Sequence, residues 1–195
     1  MPSGNRSFVN IRKFVVFDVE TPNSRNHRMS AIGVSVVENG QIVKEWGTLV
    51  NPECHFDDFN IALTGITPEM AAAAPTFPEI WERLRPDFDG GVLVAHNAPF
   101  DMSVLCKCLR DYRIYWKKEA VYACTCRMGR HCYPDLQNHR LNTLCSRCGI
   151  ELEHHRAESD SSAAARLLLD YLGKGLNVAP FLRRYDLTIG KTFPY

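Results

Sequence analysis

A chain of 195 residues, 45% hydrophobic and 23% charged, has the length and balance of one globular domain with a sizeable core. Lysine plus arginine (23) nearly cancel aspartate plus glutamate (22), and the net charge of +1 excludes a protein that coats duplex nucleic acid by bulk positive charge. No run reaches the ~20 apolar residues that cross a bilayer, the opening MPSGNRSFVN carries no apolar signal stretch, and eight cysteines in such a chain are expected as thiols in the cytoplasm.

In chain order, residues 13–19 predict a first strand, Ile32 to Val37 a second and Ile42 to Val50 a third. Asn39-Gly40 supplies a hairpin turn, so the three form an antiparallel meander. In LTGITPEM (63–70), Thr67 can cap and Pro68 can open a short helix. Phe77 to Arg85 has helical spacing at Phe77, Ile80, Trp81 and Leu84, ended by Asp89-Gly90-Gly91. Val92 to Ala95 is a short apolar strand, Pro99 to Tyr112 a helix, and Val121 to Cys124 a fifth strand. Leu141 to Cys148 predicts a helix ended by Gly149, Ala157 to Leu172 a long helix with Ala164, Leu167, Leu168 and Tyr171 on one stripe, and Val178 to Tyr185 a last helix. A meander followed by alternating strands and helices is the pattern of an α/β domain around a mixed sheet.

The chemistry starts with FVVFDVET (14–21). In a strand Asp18 and Glu20 point the same way, roughly 6–7 Å apart, and two acids so close to a core edge repel each other. AHNAPFD puts Asp101 in the first turn of a helix after the fourth strand, and HHRAESDS puts Asp160 on the core-facing side of the long late helix. Each alone has an ordinary reading: a solvated strand end, a helix-dipole acid, a partner for Arg156 or Arg166. Together the four carboxylates can converge at one end of the sheet. An all-oxygen set of this kind suits two Mg²⁺ or Mn²⁺ ions, which about 3.5–4 Å apart clamp both oxygens of an in-line phosphoryl displacement. His155, with an ordinary pKa of about 6.5, can take a proton from water.

VFDVET, HNAPFD and HRAESD, in this order, resemble the three motifs of the DEDDh (DnaQ-like) 3′–5′ exonucleases, a family that includes the proofreading subunit of bacterial DNA polymerase III. The resemblance covers Lys13 to Leu172. It implies an RNase H-like fold with a mixed five-stranded sheet, an N-terminal extension over 1–12, the exonuclease domain over 13–175, and a C-terminal helix and tail over 176–195. It implies Asp18, Glu20, Asp101 and Asp160 as metal ligands, and the spacing of its third motif selects His155 over His154 as the base. Thr21, Gly65, Ile66, His96, Asn97 and Phe100 fall where family members line the substrate groove, and Phe100 could stack on a base. Read singly, Phe100 and Met70 are core residues.

The implied activity is stepwise release of nucleoside 5′-monophosphates, first from single-stranded DNA 3′ ends, with short RNA or RNA 3′ ends second and a non-cutting end-binding or polymerase-associated module as the non-enzymatic alternative. Two departures bear on the substrate: Thr21-Pro22-Asn23 replaces the usual Thr-Thr-Gly or Thr-Gly, and Cys124 stands where many relatives have Asp. The partners expected are nucleic acid 3′ ends and a DNA polymerase, not a membrane, and the segment after Lys174 contains no Gln and hence no clamp-binding peptide. Cys145-x-x-Cys148 lacks the second pair of a zinc ribbon, so buried thiols are expected there.

Overall fold

The computed structural model describes residues 11–195, which leaves most of the expected 1–12 extension outside the described part. The meander is β1 (Lys13–Glu20), β2 (Ala31–Glu38) and β3 (Gln41–Leu49). Three helices follow, α1 (Asp58–Thr64), α2 (Pro68–Ala72) and α3 (Phe77–Asp89). Next come β4 (Val92–Ala95), α4 (Pro99–Asp111), β5 (Glu119–Cys124), α5 (Thr125–Cys132), α6 (Leu141–Cys148) and α7 (Ala157–Gly173). The chain ends in β6 (Arg183–Asp186) and β7 (Lys191–Pro194).

One sheet runs in the order β3-β2-β1-β4-β5-β6-β7. β1, β4 and β5 are parallel, and the other neighbours are antiparallel. The expected five strands are its first five, with two more added. Along β1, Val15, Phe17 and Val19 join a core built with Trp81 and Phe88 of α3 and Met102 and Leu105 of α4. Phe14 and Val16 join the opposite core, built with Leu144 of α6 and Leu167, Leu168 and Tyr171 of α7. The period-two alternation of a strand buried on both faces thus sorts the two helical layers.

Three elements differ from the sequence expectation. The helix expected over Val178–Tyr185 is one 3₁₀ turn at Ala179–Phe181 followed by β6. The free edge of β5 takes β6 in register, Glu119 opposite Asp186, and Tyr185 packs on Tyr122 with ring centroids 6.2 Å apart. The β6–β7 turn is closed by Asp186, whose carboxylate accepts from the Thr188 N–H at 2.8 Å and the Ile189 N–H at 3.2 Å. Helix α3 continues through Pro86, because Phe88 is fully buried against Phe17 and Trp81. Helix α5, unrecognised in the sequence, has a glycine at its centre. A Cβ on Gly129 would lie 2.8 Å from both a Leu144 methyl and the Tyr171 hydroxyl, so the glycine is there for close packing rather than to break the helix.

Candidate active site

Asp18 and Glu20 continue the even-numbered row of β1 and therefore emerge on the α7 side of the sheet. Asp160 sits in the first turn of α7. One carboxylate oxygen from each of Asp18, Glu20 and Asp160 lies within 4.8 Å of the other two. Asp101, buried in the first turn of α4, turns one oxygen to the Val19 N–H at 3.2 Å. The last β1–β4 pair is Val16 with Val94, so Asp101 supplies an acceptor to β1 beyond the end of β4.

Helix α7 can come this close because two strand residues facing it are glycines. A Cβ on Gly33 would fall 2.0 Å from the Ala157 carbonyl oxygen, and one on Gly47 would fall 2.7 Å from the Glu158 Cβ. Gly33 pairs with Asp18 across the β1–β2 ladder. The bare strand surface beside Asp18 is thus what admits the turn carrying Asp160.

The cluster is electrostatically unfavourable without a cation. Burial, then Asp101, Asp160 and Glu20, push the Asp18 carboxyl well above the usual range. Burial and Asp160 push Glu20 up to about 8. Asp101 is raised by burial against the opposing pull of backbone N–H groups, and Asp160 by burial against the opposing pull of His154. Oxygen donors that repel one another in a half-dry site fit hard divalent cations.

Both histidines before α7 reach this site. His154 Nδ1 lies 3.3 Å from each oxygen of Asp160, and the two imidazoles stack with centroids 4.0 Å apart. His155 has φ 67°, a left-handed turn uncommon for a non-glycine residue, and its backbone N–H donates to Asp160 Oδ2 at 3.0 Å. Burial and the neighbouring His154 lower the His155 pKa. His154, Asp160 and His155 also form a group of close potential ligands, so His154 is nearer the acids than the motif spacing indicates.

The remaining sequence candidates fall on either side of the acids. Gly65 ends α1 with φ 72°, and buried Ile66 follows; both line a cavity of about 460 Å³ with Ile32, Leu49, Met70 and His155. Thr21 is held by Asn60, whose amide donates to the Thr21 carbonyl at 2.9 Å and to its hydroxyl at 3.3 Å. The departing Pro22-Asn23 is pinned, with the Asn23 amide donating to the His55 carbonyl at 2.6 Å and the Pro22 carbonyl accepting from Asp57. Phe100 and Met70 are exposed, not core residues, because they lie on the rims of α4 and α2.

His96 and Asn97 line a second cleft with Asp18 and Asp160. The His96 ring nitrogens are already engaged, Nδ1 with Thr125 Oγ1 at 2.9 Å and Nε2 with the His139 carbonyl at 3.0 Å. Burial lowers its pKa to about 4, so the ring is neutral: Nε2–H donates to the carbonyl and Nδ1 accepts from the hydroxyl. His96 therefore has no ring nitrogen left for a ligand. Cys145 is buried in the α7-side core and Cys148 is half-buried, its Sγ 3.2 Å from the Tyr133 hydroxyl.

The family model for exonucleases, RNase_T, matches residues 15–168. The chain is 37% identical over 167 residues to the PolC-type DNA polymerase III of Bacillus subtilis (strain 168), covering 82% of this chain and 11% of that protein. It is 36% identical over 159 residues to that of Clostridium perfringens (strain 13 / Type A), covering 80% and 11%. The chain thus spans about a tenth of the length of these curated relatives. Among solved structures, the 3′-exonuclease that recognises the histone mRNA stem-loop superposes with a TM-score of 0.77 at 19% identity, over 95% of this chain and 91% of that one. Exonuclease X bound to 5′ overhanging duplex DNA superposes with a TM-score of 0.65 at 23% identity, over 83% and 92%. At these identities the superpositions establish the shared fold. From the match across 15–168 and the three motifs within it, the chain belongs to the RNase_T exonuclease family, as a DEDDh-type, DnaQ-like member.

Proposed function

We propose that this protein is a metal-dependent 3′–5′ exonuclease that shortens single-stranded DNA from its 3′ end and releases nucleoside 5′-monophosphates. The observation that carries the reading is the meeting of Asp18, Glu20 and Asp160 within 4.8 Å, with Asp101 near enough to raise the Asp18 pKa. Asp18, Glu20, Asp101 and Asp160 would hold two divalent cations, Mg²⁺ or Mn²⁺. Such ions neutralise the charge of the scissile phosphate and stabilise both the attacking and leaving oxygens.

The chain's own residues supply the rest. His155 accepts a proton from the attacking water, and its lowered pKa keeps it neutral and able to do so at neutral pH. The Gly65–Ile66 cavity, lined by Ile32, Leu49 and Met70, suits the flat apolar face of a terminal base. Thr21, held by Asn60, stands directly after Glu20 and would orient the terminal sugar. DNA is preferred because the two relatives compared above, both more than 30% identical, are PolC-type DNA polymerases III. By the same resemblance we place the protein beside a replicative polymerase in the cytoplasm, where its eight unpaired thiols would stay reduced. RNA 3′ ends are the second reading, favoured by a structural neighbour of the DEDDh family solved with rAMP.

The test is digestion of 5′-labelled DNA and RNA oligonucleotides in Mg²⁺ or Mn²⁺ against an EDTA control. Stepwise metal-dependent shortening with 5′-monophosphate products is expected. Retention of the oligonucleotide without shortening would instead make the protein an end-binding module.

A further inference from the structure

The acid cluster is flanked by two cavities of opposite character. On the His155 side is the largely apolar Gly65–Ile66 cavity. On the side of Asp18, Asp160 and His154 is a more polar cleft of about 620 Å³, walled by Arg130, Gln137, Asn138 and Arg140. Arg130 lies in the last turn of α5 and Arg140 is the residue preceding α6; both are exposed. Neither makes an ion pair among the described residues, whereas Arg85, Arg156 and Lys174 near other helix ends are paired and Arg147 stacks on Tyr133.

Structural roles explain Arg130 but not Arg140. A cation in the last turn of α5 complements the helix dipole, whereas a cation at the N-terminus of α6 opposes it. The wall between them is held rigid. The His139 carbonyl accepts from the His96 ring at 3.0 Å and from the Cys126 thiol at 3.3 Å. His139 Nε2 donates to the Tyr133 carbonyl at 2.8 Å, and Asn138 Oδ1 accepts from the Arg140 N–H at 3.1 Å. A cleft so fixed loses little entropy when a strand enters it.

The geometry points to Arg130 and Arg140 as the residues that grip the phosphodiester backbone of the strand leading into the acid cluster, upstream of the scissile phosphate. This rests on the exonuclease reading and adds a direction to it: the terminal nucleoside lies in the Gly65–Ile66 cavity and the strand leaves over α5 and the α6 N-terminus. The ligand is a single-stranded polyanion read through its phosphates, so DNA and RNA are gripped alike.

Binding of a nuclease-resistant phosphorothioate oligomer of about 12 nucleotides, as DNA and as RNA, tests this in Mg²⁺ across a salt series. Each lost phosphate contact lowers the slope of log affinity against log salt by about 0.7 for single strands, so the Arg130→Ala/Arg140→Ala protein should lose about 1.4 from its slope. Its affinity for both oligomers should fall by about tenfold or more at low salt, while affinity for 5′-dTMP stays near wild type. Arg130→Lys/Arg140→Lys should recover most of the slope. Single Arg→Gln variants give the same readout, each losing about half, should the double variant misfold. Unaltered slopes, or a loss confined to DNA or to RNA, would overturn the assignment. Because the readout is binding, it remains decisive even if the protein does not cut.

Discussion

Gly33 and Ala157 touch backbone to backbone: a single methyl group on the glycine would lie 2.0 Å from the Ala157 carbonyl oxygen. Gly33 is also the cross-strand partner of Asp18, and Ala157 begins the helix whose first turn carries Asp160. The distance between two of the acids is therefore set by a residue with no side chain.

Gly33→Ala must push the first turn of α7 off the sheet, because neither carbonyl nor strand can yield as a flexible side chain would. Overpacking of this sort costs about 1–3 kcal/mol, and a displacement of Asp160 of about 1 Å costs about 10²-fold in turnover. Thermal melts and kinetics in saturating Mn²⁺ should show a larger loss of activity than of stability. Wild-type turnover in the alanine protein would remove the positioning role of this contact.

Asp18→Asn should separate stability from function. Burial and three neighbouring carboxylates raise the Asp18 pKa, so the folded chain sustains either a buried charge or an uphill protonation at neutral pH. The amide relieves both. In EDTA at pH 7–8 the melting temperature should rise by several degrees, at about 2–4 °C per kcal/mol for a chain of this size. The gain should shrink as pH falls and vanish only below about pH 3, where Asp18 is protonated in the folded and the unfolded chain alike, and turnover should be lost. A variant no more stable than wild type at pH 8 would contradict the electrostatic account.

Glu20 fixes a pH window for the metal-free protein. Its folded pKa is about 8 against an ordinary 4.5, so the folded state holds the extra proton between those values. Its contribution to stability is fully present below about 4.5 and is lost as pH rises through about 8, a change on the order of a few kcal/mol. Denaturant melts in EDTA should therefore weaken from pH 5 to 8. A divalent cation should reverse that trend and release protons on binding, measurable as heats that depend on the buffer's ionisation enthalpy. An EDTA stability profile rising over this range would have the wrong sign.

The acids were legible in the sequence because strand alternation and helix phase are local rules: Asp18 and Glu20 follow apolar partners two apart, and Asp160 shares a stripe with Ala164 and Leu167. The β6–β7 hairpin was not, since Leu182 and Tyr185 are spaced for a helix as well as for a strand, and the open edge of β5 decides between them. Helix α5 was hidden by a central glycine whose reason is a tertiary contact with Leu144 and Tyr171. Arg130 and Arg140 form no motif, being brought to one cleft only by the packing of α5 and α6. His96 was expected to serve substrate, and only its partners Thr125 and His139 reveal that its ring nitrogens are taken.

The two stacked histidines offer the sharpest test of the chemistry. His154 is the closer to the acids by its side chain, 3.3 Å from both Asp160 oxygens, whereas His155 donates to Asp160 through its backbone N–H, has a ring nitrogen within 4.8 Å of an Asp160 oxygen and lines the Gly65–Ile66 cavity. If His155 is the base, His155→Ala should lower kcat by about 10²–10⁴-fold with metal saturating. His154→Ala should act differently. Removing the neighbouring His154 ring relieves one of the causes that lower the His155 pKa, so that pKa should rise towards its ordinary value. The acid limb of the kcat profile should then move to higher pH, with activity falling more at pH 6 than at pH 8. Asp160 also loses the partner that opposes its raised pKa, so metal affinity should weaken at low pH. The reverse pattern, with turnover abolished by His154→Ala and only shifted by His155→Ala, would transfer the base to His154 and make the spacing of the third motif a poor guide in this chain.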